Sequence, residues 1–233
     1  MRIKVIIPNS SNEFRDEQVE HRKSIANPGT EVDVICLHHG PVSIESAVDD
    51  SYAAPHLIDE IKKAEEEGYD AVSIDCAMDP SPRAVKEIAN IPIVSGGEAS
   101  RTLALLLGDK FSVITVLTNT AKVIKSNIVA AGIESRCASV RSAEIPVLEL
   151  KDYEKAKKKI LVEAKKAIDE DCADVIVLGC TGMAMLAQDL QRELKIPVVD
   201  PATAGIKLAE ILVQMKLAQS RISFPTPPQK EIK

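Results

Sequence analysis

The stretch Gly68–Cys76 (GYDAVSIDC) decides the fold, because a second copy of its pattern follows later in the chain. Residues 172–180 read CADVIVLGC, so an apolar run again ends at a cysteine, and the two cysteines lie 104 residues apart (76 to 180). Further on, Ile91–Val94 (IPIV) is matched by Ile196–Val199 (IPVV). A strand, a cysteine, a helix and a second strand therefore occur twice, which predicts two similar lobes related by a pseudo-twofold axis.

The rest of the chain supports an α/β fold. Short apolar runs alternate with longer amphipathic stretches, which is typical of βα units around mainly parallel sheets. We predict two lobes, each with a mainly parallel sheet flanked by helices, and an active site between them. Lobe 1 comprises residues 1–96 plus 203–233, and lobe 2 comprises residues 97–202. The predicted strands are Arg2–Ile7, Glu31–Leu37, Ala71–Asp75, Ile91–Ser95, Phe111–Leu117, Ser135–Val140, Asp174–Leu178 and Ile196–Val199. The predicted helices are Phe14–Ala26, Ala53–Glu66, Pro80–Ile88, Glu98–Leu107, Ala121–Ala130, Tyr153–Asp169, Met183–Leu194 and Ala202–Gln214.

Two of the helix starts have a clear chemical signal. Asp79-Pro80 and Asp200-Pro201 each place an aspartate, a good N-cap, before a proline at the first helical position. We expect each aspartate to cap the helix that follows it.

Composition excludes several classes of function. The net charge of −6 over 233 residues argues against a nucleic-acid partner, which would require a basic surface. The sequence contains no apolar run near the roughly 18 residues that a membrane span needs. Its start, MRIK, leads into a strand pattern rather than a signal peptide. The expected partner is a small-molecule substrate, with neither nucleic acid nor membrane.

The five cysteines are widely spaced and form no C-x-x-C motif. Their number and spacing favour reduced thiols in a cytoplasmic protein over a disulfide or zinc framework. Cys36, His38 and His39 form a C-x-H-H sequence, but no further ligands stand at a recognisable spacing, so we predict no metal site.

Cys76 and Cys180 are the strongest catalytic candidates. Each directly follows a predicted strand, and ligands of parallel sheets bind beyond the carboxyl ends of the strands. A single cysteine there is usually a small buried apolar residue, but equivalent positions in a repeated unit favour a function. The helix that follows each cysteine is expected to lower its thiol pKa toward neutrality. A thiolate on one face of a substrate and a thiol on the other predict two-base racemisation without a cofactor.

At these residues the sequence resembles the hydantoin racemase branch of the Asp/Glu racemase superfamily. The similarity runs in family order through about Val213, and the two cysteine contexts are its most specific part. The matching segments are Arg2–Ser11 (RIKVIIPNSS), Gly40–Ser46 (GPVSIES), Cys76–Pro80 (CAMDP), Pro92–Ala99 (PIVSGGEA), Phe111–Thr115 (FSVIT), Gly179–Met183 (GCTGM) and Pro197–Asp200 (PVVD).

The resemblance implies a homo-oligomeric enzyme that racemises 5-substituted hydantoins, has its site between two lobes and uses no cofactor. Cys76 and Cys180 would be the acid/base pair. The implied substrate-binding groups are Asn9, Thr115 or Thr118, and the backbone N–H groups around Ala77, Met78, Thr181 and Gly182.

Some alternatives stay open at this point. Family members commonly have alanine where this chain has Thr181, and a hydroxyl there would suit an α-carboxylate, as in an aspartate or glutamate racemase. A decarboxylase or diacid isomerase with one working cysteine, and a two-lobe binding protein without catalysis, are further candidates. His38 and His39 follow the second strand and are candidates for the pocket. Gly96-Gly97 predicts a tight turn, and the roles of Asp75 and Glu98 are undecided.

Overall fold

The computed structural model describes residues 1–11, 15–228 and 230, and it contains eight strands and eight α-helices within those residues. The strands are β1 Arg2–Ile7, β2 Glu31–Cys36, β3 Ala71–Ile74, β4 Ile93–Ser95, β5 Phe111–Thr115, β6 Cys137–Ser142, β7 Val175–Leu178 and β8 Val198–Val199. The α-helices are α1 Arg15–Ile25, α2 Ala47–Glu66, α3 Ala84–Glu87, α4 Gly96–Leu107, α5 Thr118–Ala130, α6 Tyr153–Asp169, α7 Ala187–Leu194 and α8 Pro201–Gln214. Short 3₁₀ helices cover Glu134–Arg136, Val147–Lys151 and Thr181–Leu186.

The strands form two four-stranded parallel sheets with the same topology. The first sheet has the order β2-β1-β3-β4 and the second has the order β6-β5-β7-β8. The central strands are buried on both faces, as expected for parallel sheets covered by helices. The predicted fold, two similar α/β lobes with mainly parallel sheets, is confirmed.

Helices α4 and α8 pack against each other between the two sheets. Helix α4 contacts β5, β7 and β8 of the second sheet, and α8 contacts β1, β3 and β4 of the first. A Cβ atom on Gly96 would lie only 2.9 Å from the Pro201 carbonyl oxygen, and one on Gly97 would overlap the Ala77 carbonyl oxygen. The sequence predicted a tight turn at these glycines, but both belong to the first turn of α4. Close packing, and not a turn, is the reason that these positions require glycine. The lobe boundaries at 96/97 and 202/203 stay a prediction.

The predicted helix Pro80–Ile88 is wrong in its first part, because the α-helix covers only Ala84–Glu87. Asp79 and Ser81 have φ angles of 51° and 48°, in the left-handed region, so the chain turns before the helix starts. Asp79 does not cap this helix. Its carboxylate instead accepts the Glu98 N–H of α4 at 2.8 Å. The other predicted cap is confirmed, since Asp200 accepts the Thr203 N–H of α8 at 2.8 Å.

Two other helices differ from their predicted bounds. The predicted helix Met183–Leu194 divides into the 3₁₀ segment and α7, and the 3₁₀ geometry places Met183 and Leu186, three residues apart, on the same buried side. Helix α2 starts six residues earlier than predicted, because Ser46 accepts the Asp49 N–H as its N-cap. Phe14, the first residue of the predicted α1, lies outside the described residues. Within the described residues, no helix has the length and apolar character that a bilayer crossing requires.

Candidate active site

Cys76 lies in the loop that leaves β3. The Asp75 N–H donates to the Ile6 carbonyl at 2.8 Å, which continues the parallel pairing up to the residue before the cysteine. The Cys76 carbonyl accepts the Gly97 N–H at 3.3 Å and the Asp79 N–H at 3.4 Å, and the side chain is buried. Asn127 of the second half of the chain donates to the Met78 carbonyl at 2.7 Å. The loop that carries Cys76 is therefore held by both halves of the molecule.

Cys180 occupies the corresponding place in the second sheet, directly before the 3₁₀ segment that follows β7. The Gly179 N–H donates to the Ile114 carbonyl of β5 at 2.8 Å, and the Thr115 hydroxyl donates to the Gly179 carbonyl at 3.0 Å. A Cβ atom on Gly179 would collide with Thr115, so the chain approaches β5 closely just before the cysteine. Its thiol is only partly exposed.

The two thiols open onto one cavity, which is the central feature of the site. Loops at the carboxyl ends of both sheets form its walls, as the sequence predicted for parallel sheets. The described residues that line it are Ile7, Pro8, Asn9, Gln18, Ile44, Asp75, Cys76, Ala77, Met78, Val116, Thr120, Val147, Gly179, Cys180, Thr181 and Gly182.

Burial dominates the acidity of both thiols. It raises the pKa of Cys76 well above its ordinary value, although the Met78 N–H opposes this shift. It also raises the pKa of Cys180 to about 11, against a hydrogen bond from the Gly182 N–H. The expected lowering of the thiol pKa toward neutrality is therefore wrong. Helix α3 begins eight residues beyond Cys76, and burial outweighs the single backbone N–H at each sulfur.

Most of the predicted binding groups lie on this cavity. Asn9 lines it, and its side-chain oxygen also accepts the Ser11 N–H at 3.3 Å. Ala77, Met78, Thr181 and Gly182 line it as well. The N–H groups of Met78 and Gly182, which were expected to receive a substrate oxygen, point to the two thiols in the ligand-free site.

The two predicted threonines of the second lobe do not line the cavity. Thr115 is fully buried beneath it and bonds Gly179 and Thr120. Thr118 is exposed, and its hydroxyl donates to the Glu144 carboxylate at 2.7 Å. Strand β5 ends at Thr115, and the start of α5 turns Thr118 away from the site. Thr120, in the first turn of α5, lies on the cavity instead.

Other cavity residues were missed, and for some of them a signal existed. Ile44 follows β2 and Val147 follows β6, and these strands hold equivalent places in the two sheets. The two residues lie 103 positions apart (44 to 147), close to the spacing of the cysteines. The repeat could therefore have indicated this apolar pair. For Gln18, on α1, the sequence holds no comparable signal.

The remaining candidates lie elsewhere. His38 and His39 are exposed, and the ring of His39 packs against His56 with centroids 5.6 Å apart. Glu98 pairs with Lys86 at 2.6 Å on the outside of α4. Asp75, by contrast, lines the cavity and pairs with Arg22 at 2.8 Å.

Fold and site together define a class of protein, in which two similar α/β lobes each place one cysteine on a shared cavity. The pattern of the family described as Asp/Glu/Hydantoin racemase matches residues 3–209. The chain belongs to this family, and it is a racemase.

Relatives and solved structures agree with this assignment. A hydantoin racemase of Pseudomonas sp. (strain NS671) is 37% identical over 233 residues, which cover 99% of this chain and 93% of the relative. The structure of allantoin racemase from Klebsiella pneumoniae superposes with a TM-score of 0.95 at 34% identity, covering 100% of this chain and 96% of that one. Allantoin racemase from Pseudomonas fluorescens gives a TM-score of 0.95 at 35% identity, with both chains covered completely.

Proposed function

We propose that this chain racemises 5-substituted hydantoins by two-base proton transfer, with Cys76 and Cys180 as the acid/base pair. The observation that carries the proposal is that one thiol from each lobe lines the same cavity. The names of the relatives, hydantoin racemase and allantoin racemase, favour the same ring as substrate.

The proposed reaction moves one proton in and one proton out. Because burial raises the pKa of both thiols, one of them must first lose its proton to solvent, and the fraction of protein in this state is small at neutral pH. The resulting thiolate removes the proton from C5, and the electron pair delocalises onto the adjacent ring carbonyl as an enolate. The thiol on the other side then donates its proton to the opposite face of C5. The C–H bond is broken and remade with inverted configuration, and the two cysteines exchange protonation states. No cofactor enters the proposal, because the ring carbonyl stabilises the carbanion.

The cavity favours a neutral ring over an anionic amino acid. Among its described lining residues none is Lys, Arg or His, and Asp75 contributes a carboxylate. The Thr181 hydroxyl, the group that would suit an α-carboxylate, donates to the Asp75 carbonyl at 3.1 Å. An anionic carboxylate would lose its hydration there, which is costly, and the buried Arg22 guanidinium is already paired with the Asp75 carboxylate. The aspartate or glutamate racemase is therefore the weaker alternative.

A second cavity adjoins the first and suits the substituent at C5. The two cavities share Gln18, Val147 and Gly182 as wall residues. The second has a volume of about 100 Å³. Leu150 and Leu186 form an apolar part of its wall, and the charged residues Glu17, Arg22 and Lys151 also line it. An apolar protein cavity of about 150 Å³ holds a benzene molecule, so this space fits a branched alkyl group. We propose that it receives apolar 5-substituents.

The test is circular dichroism or polarimetry of the purified, reduced protein. The panel contains both enantiomers of 5-isobutylhydantoin, allantoin, aspartate and glutamate. We expect the hydantoin signal to decay to zero from either enantiomer, with deuterium entering C5 in D₂O. Decay with the amino acids alone would contradict the hydantoin assignment.

Single replacements test the roles of the cysteines. Cys76→Ser and Cys180→Ser should each abolish racemisation, and each should retain C5–H exchange for one enantiomer, a different one in the two variants. Cys172→Ser is the matched control, because Cys172 is exposed and lies outside the cavity. Full racemisation by both single variants would rule out the two-base mechanism.

A further inference from the structure

A buried arginine connects the two cysteine loops. Arg22 lies on α1, and only 1% of its surface is exposed. Its Nη2 donates to the Asp75 carboxylate at 2.8 Å and to the Thr181 carbonyl at 2.9 Å, and its Nε donates to the same Asp75 oxygen at 3.2 Å. Asp75 immediately precedes Cys76, and Thr181 immediately follows Cys180. One guanidinium therefore bonds the neighbours of both cysteines.

A direct bond between the loops closes this arrangement. The Thr181 hydroxyl donates to the Asp75 carbonyl at 3.1 Å, so each of the three residues contacts the other two. The third nitrogen of the guanidinium, Nη1, lies 3.2 Å from His21 Nδ1. Burial lowers the pKa of His21, so at neutral pH the Nδ1 atom of its uncharged ring can accept a hydrogen bond from Arg22. All three guanidinium nitrogens thus have partners.

A buried ion pair is weak evidence for a role in stability. Moving both charges out of water offsets most of their attraction, and apolar replacements are often equally stable. The geometry is more informative, because a planar guanidinium with several donors in fixed directions sets the positions of its acceptors. Two-base proton transfer needs both sulfurs at fixed places on either side of one carbon atom, and a displacement of about 1 Å can cost about 100-fold in rate.

We propose that Arg22 is a positioning residue that sets the separation of Cys76 and Cys180 across the cavity through its bonds to Asp75 and Thr181. The effect on turnover rests on the proposed function, whereas the effect on the loops does not. Arg22 acts through its two partners: it is not among the described residues that line the cysteine cavity, and it forms part of the wall of the adjoining cavity.

The test uses the double variant Arg22→Met/Asp75→Asn, which removes both buried charges together and leaves neither unpaired. We expect a folded protein whose kcat for 5-isobutylhydantoin falls on the order of 100-fold while KM changes little. We also expect iodoacetamide, followed by peptide mass spectrometry, to label Cys76 and Cys180 several-fold faster, because their loops are no longer held. Labelling of the exposed Cys172 in the same sample is the internal reference.

Two further variants isolate the effect of Arg22. The single variant Asp75→Asn leaves the Arg22 guanidinium buried without its counter-charge, so its free energy of unfolding should fall by more than that of the double variant. The double variant Arg141→Met/Asp171→Asn removes an Arg–Asp pair that lies outside the cavity, and it should leave kcat unchanged.

The outcomes separate this proposal from the proposed function. If the folded Arg22→Met/Asp75→Asn protein keeps wild-type kcat and wild-type labelling of both cysteines, Arg22 does not position them. If the wild-type protein racemises none of the hydantoins, the proposed function is wrong, and the labelling rates of the two cysteines alone test the role of Arg22. Unchanged labelling then overturns the positioning role, and faster labelling supports it.

Discussion

The Asp79 carboxylate lies 2.5 Å from the Arg101 guanidinium, and both side chains are almost completely buried. The pair joins the loop after Cys76 to the inner face of α4. The same carboxylate accepts the Glu98 N–H. The sequence predicted that Asp79 caps the helix that follows it, but Asp79 caps α4 instead. This contact holds the loop that carries Met78, one of the cavity residues.

Replacing Arg101 should therefore destabilise the whole protein. Arg101→Met leaves the Asp79 carboxylate buried without its cation, and removing one partner of a buried pair costs about 3–5 kcal/mol. We expect the free energy of unfolding in urea to fall by about that amount. Arg192→Met, which removes an exposed pair with Asp189, is the matched control and should shift the midpoint little. Equal midpoints for the two variants would contradict this account.

Gly97 should not tolerate a side chain. A Cβ atom there would overlap the Ala77 carbonyl oxygen and lie 2.7 Å from both Asp79 carboxylate oxygens. We expect Gly97→Ala to cost about 1–3 kcal/mol in unfolding free energy, as other overpacked positions do. It should also lower turnover, because Ala77 lines the cavity. The neighbouring Glu98→Ala removes a half-exposed carboxylate and its ion pair with Lys86 but adds no atom, so the two variants, compared by thermal melting and activity, separate close packing from charge.

The sequence predicted the fold almost completely, because each βα unit carries its own pattern of apolar residues. It also predicted that Cys76 and Cys180 lie at equivalent strand ends, because the repeat marks those ends, and both residues line one cavity. It could not identify the partner of Asp79, because Arg101 reaches that aspartate only once α4 has packed between the sheets. The position of Thr118 could not be predicted either. The direction of α5 after β5 determines whether the Thr118 hydroxyl lines the cavity, and the hydroxyl bonds Glu144 instead.

The acidity of the cysteines escaped prediction for a related reason. A helix start after each cysteine is visible in the sequence and suggested lower pKa values. Burial depends on both lobes at once, and it raises the pKa of Cys76 and of Cys180. Burial is the larger of the two effects, and it follows only from the way in which the loops of both lobes surround the thiols.

The pH dependence of cysteine labelling should show this shift. Burial raises the pKa of Cys180 to about 11, so its thiolate fraction is small at neutral pH and still grows above pH 9. We expect the rate of iodoacetamide labelling at Cys180, measured by peptide mass spectrometry, to continue rising up to pH 10. The rate for N-acetylcysteine should level off earlier, because an ordinary thiol has a pKa of about 8.5. A Cys180 profile that coincides with that of the small thiol would show that burial does not control its ionisation.

Thr118 and Thr120 should differ in their effect on turnover. The Thr118 hydroxyl bonds Glu144 outside the cavity, so Thr118→Ala should leave hydantoin racemisation unchanged. The Thr120 hydroxyl bonds Thr115 and the Leu117 backbone under the cavity wall, so Thr120→Val should disturb the site and lower kcat. Racemisation rates at saturating substrate decide between these expectations. If Thr118→Ala lost activity and Thr120→Val did not, the Thr118 hydroxyl would have to contact the substrate, and this prediction would be wrong.

The second cavity should set which 5-substituent is accepted. Leu150 lines it, and a Cβ atom on Gly182 of the cysteine loop would lie 2.9 Å from its Cδ1 atom. Leu150→Phe should therefore fill the space beside the thiols. Losing the space for one methylene group in an apolar pocket is worth about 10–200-fold in specificity, so kcat/KM for 5-isobutylhydantoin should fall by at least about 10-fold. For 5-methylhydantoin, whose substituent does not extend so far, kcat/KM should change little.

Val162→Phe, at an exposed position of α6, controls for the added ring and should affect neither substrate. An equal loss for both substrates in Leu150→Phe would mean that this cavity does not hold the substituent, and the proposed substrate preference would then lack its structural basis.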